Sequence, residues 1–351
     1  MTPRGRDLVR ARSSHPGLDA FRRLHLKETV SAFLAAASAP CATNPSHRQA
    51  AALIKACLKT DPVRTMACFA SPTISTPIHC YAGRERWPPL GARLEDGLRE
   101  ALCLLLLELA IRGLIPAGIK FDWLDEAIPL FSPSIGARLH APAQAAGWRF
   151  ESGVLTVLER HGSGAAIRLA AKSLQRGRRE VNGLRSELAY VPLRGDILLA
   201  LADNNPIAQT ETHPDKNGNV FDLGGHSEDD WRMTLTTALD WIAEHSPDLF
   251  AEMGAMLRQL VPIGYEAQRH LSASYREAIG TIYLTLHPNV LIITEAIVHE
   301  FQHNKLNVGT YTGPMLHNAF SPLYPSPVRP DPRPLFGVLM AVHAFLPVAA
   351  F

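Results

Sequence analysis

The stretch His299-Glu-Phe-Gln-His303 lies inside an unbroken run, NVLIITEAIVHEFQHNKLNV, that opens after His287-Pro288 and closes at Gly309. Its apolar residues recur at helical spacing, and the flanking proline and glycine mark a start and a stop, so the run predicts one long helix. On such a helix two histidines four residues apart stand on the same face, one turn from each other, and both imidazoles can reach a single ion. Glu300 is turned by about 100° from His299, close enough to touch a metal-bound water or a second ligand. Ile297, Val298 and Phe301 would bury the motif. Just before it, Gly280–Leu286 (GTIYLTL) alternates and is rich in β-formers, which predicts a strand leading toward the site.

A pair of histidines needs a third donor, and the usual HExxH enzyme, a zinc peptidase, supplies a recognisable one. A metzincin places Gly three residues and His six residues beyond the second histidine; those positions hold Leu306 and Gly309. A gluzincin-like site needs a later Glu, and no Glu follows Glu300. The remaining candidates are His317 in the loop GPMLHNAF, Asp331 in RPDPRP and His343 in the apolar helical segment GVLMAVHAFLPVAAF. An imidazole in that last segment requires a polar partner or a metal.

The rest of the chain sets the frame. Its 351 residues, 46% apolar and 19% charged, suit a globular protein of one large or two ordinary domains. A net charge of +2 gives no case for nucleic acid or a membrane surface, and the one basic run, Arg176–Arg179, reads as a solvated loop or helix end. Five cysteines, Cys41, Cys57, Cys68, Cys80 and Cys103, form no CxxC pair, and they point to a reducing cytoplasm. The basic N-terminus lacks an apolar core of the secretory kind, and Ala101–Ile111 is too short and too charged to span a bilayer. That segment reads as a buried helix.

The first half reads as mainly helical, with helices over Phe21–Ala37 and Glu95–Arg112, breaks at Ser71–Pro77 and Trp87–Gly91, and connections at Ala141–Gly147 and Arg160–Ala165. Gly195–Ala202 reads as a short strand, Ser227 with Asp230 as the cap of a helix over Asp229–His245, and Leu335–Phe351 as a buried helix after a stiff Pro-rich connection. Asp215, Asn217 and Asn219 form a DxNxN pattern, but Val220 and His226 occupy the Gly and Glu positions that a calcium loop requires. The expected fold class is mainly α with a small β component (α+β). A helical region over 1–183 would be a scaffold for substrate recognition, and 184–351 the metal-binding catalytic region.

The runs HEFQHNKL, RPDPRP and GVLMAVHAF resemble the HExxH-motif proteins of ribosomal-peptide biosynthesis clusters, iron- and 2-oxoglutarate-dependent peptide β-hydroxylases. The resemblance is specific over Gly280–Phe351, looser over Val191–Pro206 and Ser227–Pro247, and does not extend before Leu184. The family pattern continues past its last helix, so the resemblance also implies a C-terminus shortened at Phe351. It implies Fe(II) held by His299 and His303, with His343 the matching distal histidine. Arg329 and Arg333 are then available for the 2-oxoglutarate carboxylate, since a planar guanidinium suits bidentate recognition; they could equally stiffen the Pro-rich segment through salt bridges. Asp331 as third ligand would instead restore the usual two-histidine, one-carboxylate set. The implied substrate is a precursor peptide hydroxylated at a side-chain β-carbon, with Glu300 orienting a ligand. Two other readings remain at this level: a zinc peptidase with Glu300 as general base, and a peptide-binding protein stabilised by its metal.

Overall fold

The computed structural model describes residues 16–38, 44–124, 127–169, 179–181, 183–213, 216–326 and 331–351. Cys41, Arg176, Asp215 and Arg329 lie outside the described residues. Helices make up about half of the structure and strands about a fifth, an α+β fold. Among the described residues, no helix is long and apolar enough to cross a membrane.

The chain forms two compact units. Where the sequence suggests a single cut between 183 and 184, unit 1 comprises Met1–Glu28, Pro192–Leu199 and Asn219–Phe351. Unit 2 comprises Thr29–Val191 and Ala200–Gly218.

Helix α1 (Pro16–Ala36) runs from the first unit into the second. Unit 2 continues with α2 (Pro45–Thr60), α3 (Pro62–Cys68), α4 (Pro72–Ala82) and α5 (Gly91–Ile111). Three of these starts share a device, a polar residue followed by proline. Asn44 Oδ1 accepts from Ser46 N at 2.8 Å and Asp61 Oδ1 accepts from Arg64 N at 3.1 Å, while proline fills a position whose N–H has no helical partner. Ser71-Pro72 repeats the residue pair without a side-chain cap bond, and Ser71–Pro77, expected as a break, instead opens a helix that tolerates Pro77 within it. In α5 every residue from Ala101 to Ala110 is buried, as the apolar run requires. Glu108 is carried inside with them, and its carboxylate accepts hydrogen bonds from Ser132 Oγ and, at 2.7 Å, from Ser134 Oγ.

The second part of unit 2 is β-structure that the sequence reading did not foresee. Strands β1 (Phe121–Trp123), β2 (Leu130–Ser132), β3 (Ala137–His140), β4 (Ala145–Glu151), β5 (Val154–Glu159), β6 (Gly162–Arg168), β7 (Arg179–Val181) and β8 (Leu184–Leu188) form two antiparallel sheets. Their orders are β1-β4-β5-β6 and β2-β3-β8-β7. The supposed connections Ala141–Gly147 and Arg160–Ala165 thus run into β4 and β6. Small residues and glycines disguise them: AAG opens β4 and GSGAA opens β6. Gly147 is required there, because a Cβ would overlap the Trp123 carbonyl on the paired strand. Between β4 and β5 the turn Ser152-Gly153 uses a positive φ of 72° at the glycine, the residue that adopts it without strain.

After β9 (Tyr190–Arg194) and β10 (Ile197–Ala200), the short α6 (Pro206–Thr210) and the pair β11 (Thr212–His213) and β12 (Lys216–Asn217) complete unit 2. Unit 1 then resumes with α7 (Glu228–His245) and α8 (Pro247–Met256). The cap of α7 is the expected one: Ser227 Oγ accepts from Asp230 N at 3.1 Å, and Asp230 Oδ2 accepts from Ser227 N at 2.9 Å. Strands β13 (Gln259–Tyr265), β14 (Ser272–Ala273) and β15 (Thr281–Leu286) belong to a mixed sheet ordered β14-β15-β13-β10-β9. In it β10, β13 and β15 are parallel and β14 is antiparallel to β15. All six residues of β15 are buried, as in a strand covered on both faces.

From β15 the chain turns through His287–Asn289 into α9 (Val290–Gly309), where Asn289 Oδ1 accepts from Leu291 N at 3.0 Å. The pair β16 (Leu323–Tyr324) and β17 (Arg333–Pro334) then leads into α10 (Leu335–Ala350). That last helix is not the buried one expected: only His343 and Ala344 are buried, and Val342, Phe345 and Leu346 stand 43%, 41% and 55% exposed.

Helix α9 is anchored by a deeply buried ion pair. Lys305 Nζ donates to Glu252 Oε2 of α8 at 2.8 Å, and the two side chains are 2% and 3% exposed. Lys305→Ala leaves a buried carboxylate without its cation and should destabilise the protein by about 3–5 kcal/mol, read from denaturant unfolding. Lys305→Met combined with Glu252→Leu should recover most of that loss; a double variant as unstable as Lys305→Ala would show that the pair is not the anchor.

Candidate metal centre

Helix α9 packs against α7, α10 and β15, which accounts for its burial on nearly all sides. Its rotation is set by polar side chains that have one way to be satisfied. Asn304, 1% exposed, accepts from Gly280 N at 2.7 Å and donates to Thr281 O at 3.2 Å, tying the helix to the start of β15. Glu300, 4% exposed, accepts from Ser272 Oγ at 2.8 Å through one oxygen and from Ser274 Oγ at 2.7 Å through the other. With these contacts made, His299 and His303 share one face.

The two rings stand at 90° with centroids 4.6 Å apart, and their Nε2 atoms are 3.0 Å from each other. Two nitrogens each about 2.0–2.1 Å from a common ion, at angles between square and tetrahedral, would be separated by about 2.8–3.4 Å. The observed spacing therefore suits one shared cation. A Glu300 carboxylate oxygen completes a group whose ligand atoms all lie within 4.8 Å of one another.

Burial pushes the pKa of His299 down. His303 is pushed down to about 3, by burial first and then by the charges of His299 and His343. Both imidazoles are consequently neutral near pH 7, the form that ligates a metal. His299 Nδ1 lies 4.0 Å from Glu295 Oε1, beyond hydrogen-bond distance, and both His299 Nδ1 and His303 Nδ1 are buried without a hydrogen bond among the described residues. The edge of Phe345 from α10 closes one side, its ring centroid 4.8 Å from that of His299. The His299 side chain keeps 18% of its surface exposed.

The three candidates for a further donor are placed differently. His343 sits on α10, 7% exposed, near enough for its charge to act on His303, but outside the tight group of three. His317 is exposed in a turn. Asp331 is exposed and accepts from Arg333 Nε at 3.2 Å. That contact occupies Arg333 in the surface pairing expected of a stiffened Pro-rich segment. Ser272, Ser274, Asn304 and Phe345 were not singled out from the sequence. The only signal for the serines was their spacing of two, which in a strand puts both on one side.

No protein-family model matches the chain, and no curated protein matches it.

The titration of His303 gives a measurable consequence for the metal-free protein. Its folded-state pKa of about 3 lies below the ordinary 6.5, so as pH falls through this window the unfolded chain takes up a proton that the folded chain refuses. Stability is retained above about pH 6.5 and declines toward pH 3. His303→Gln should flatten this decline in urea unfolding at pH 7 and pH 5; an unchanged decline would mean that His303 is not held neutral.

Proposed function

We propose that the protein is a metal-dependent enzyme, an Fe(II)- and 2-oxoglutarate-dependent hydroxylase acting on a peptide side chain. The observation that carries this reading is the 3.0 Å approach of the His299 and His303 Nε2 atoms on one face of α9. Two neutral imidazoles suit iron as well as zinc. The choice of iron and of the co-substrate follows the resemblance of Gly280–Phe351 to the peptide β-hydroxylases.

Iron with 2-oxoglutarate would supply the oxygen activation that hydroxylates an unactivated carbon. His299 and His303 would hold the ion, and His343 is the neighbouring histidine available as a third donor. Glu300, fixed through both oxygens by Ser272 and Ser274, orients the site as a positioning residue and is poorly placed to swing as a general base. That anchoring favours hydroxylation over peptide hydrolysis. The Phe345 edge shields the imidazoles from water on one side. A precursor peptide is the substrate that the same resemblance suggests, and the cysteine spacing suggests the cytoplasm as its location.

Anaerobic titration of the purified protein with Fe(II) should reach one equivalent, and 2-oxoglutarate should then produce a visible charge-transfer band. His299→Ala and His303→Ala should each abolish both signals without loss of folding. With a candidate peptide and air, the product should gain one oxygen. Cleavage of the peptide by the zinc form, with no band from the iron form, would replace the hydroxylase with a peptidase.

A further inference from the structure

Unit 2 contains a polar cavity of about 320 Å³ that the proposed reaction does not use. Its walls come from the N-terminal half of α5, which provides Arg93, Asp96 and Glu100, from Phe131 and Arg138 on β2 and β3, and from the turn Asp203–Pro206 entering α6. Arg93 closes one side through a hydrogen bond from its guanidinium to Gln209 Oε1.

Two groups in this cavity are left incomplete. Among the described residues the Arg138 side chain makes no hydrogen bond or ion pair, its Nε is buried from water, and its charge acts on Glu187 across the sheet as well as on Glu100. Glu100 accepts one hydrogen bond, from Asn204 Nδ2 at 3.0 Å, and among the described residues it has no ion-pair partner. Asn204 is itself fixed, since the same Nδ2 donates to Thr73 O at 2.9 Å. Arg138 and Glu100 feel each other's charge but do not touch. A permanent cation and a carboxylate held apart across a cavity lower their energy when a bridging molecule brings an acceptor to one and a donor to the other. Phe131 and Pro206 offer an apolar wall to whatever joins them.

We propose that this cavity binds a free α-amino acid, its carboxylate on the Arg138 guanidinium and its ammonium on Glu100. A fork of guanidinium N–H groups matches a carboxylate. Asp203 adds negative charge near Glu100, where the ammonium would sit. The groups facing Glu100 are Asn204 and Asp203 from the turn, Arg138 from β3 and Arg99 from its own helix. Burial among them raises the Glu100 pKa to about 7, as expected of a carboxylate whose cation is missing. Affinity for an ammonium should accordingly fall as the pH drops below about 7.

Calorimetry of the full-length protein against each common amino acid tests this. The expected result is saturable one-to-one binding of at least one of them at millimolar concentration. The des-amino and decarboxylated analogues of that amino acid should bind at least about tenfold more weakly. Arg138→Gln and Glu100→Gln should each weaken binding by a similar factor while leaving Fe(II) uptake at the His299 site unchanged. If no amino acid binds, or if the singly charged analogues bind equally well, the cavity holds only water and the proposal fails. Retention of full affinity by both folded variants overturns it as well. Should either variant not fold, the comparison of analogues decides alone.

Discussion

The rotation of α9 about its own axis is the constraint on which the candidate centre depends. A helix buried on nearly all sides cannot turn freely, because each polar side chain it carries inward must meet its one partner. Asn304 meets the backbone at the start of β15, Glu300 meets two serine hydroxyls beside β14, and Lys305 meets Glu252 of α8. Slipping the helix by one residue would swing all of them by about 100° and leave buried polar groups unsatisfied, at a cost of about 1–3 kcal/mol each and more for the charges. The convergence of the two imidazoles follows from these contacts.

The same device occurs in both units. Glu108 of α5 and Glu300 of α9 are each buried, and each has its carboxylate held by two serine hydroxyls two residues apart in sequence. Two hydroxyl donors satisfy a carboxylate inside a protein, and at Glu108 the Arg112 guanidinium adds a longer contact of 3.4 Å. Glu100, a little over two turns before Glu108 on the same helix, lacks such a complement and lies against a cavity instead. The contrast separates acids that brace the fold from one left short of a partner.

Much of unit 1 could be read from the sequence because its signals are local. The capping box at Ser227–Asp230, the alternating Thr281–Leu286 and the apolar run through Val290–Gly309 each declare an element without reference to the rest of the chain. The same locality revealed the two histidines, since one turn of helix is enough to bring them together. The β-structure of unit 2 was hidden because β4 and β6 open with Ala, Gly and Ser, and their strand character comes from pairing with β1 and β5. The exposure of α10 was misread for a related reason: an apolar composition reports what could be buried, and only tertiary contacts decide what is. The serine pair on Glu300 depends on β14 lying beside α9, a placement with no local mark.

The path of the chain has a practical consequence of its own. Unit 1 gathers segments from before 29, from 192–199 and from after 218, so the polypeptide enters and leaves it repeatedly. No single scission yields either unit whole. A recombinant fragment beginning near Leu184, which the motif alone would recommend, would lack the portion of α1 that unit 1 includes and would carry unit 2 residues severed from their sheet. Excising the histidine-bearing half for isolated study calls for splicing and re-joining, not trimming.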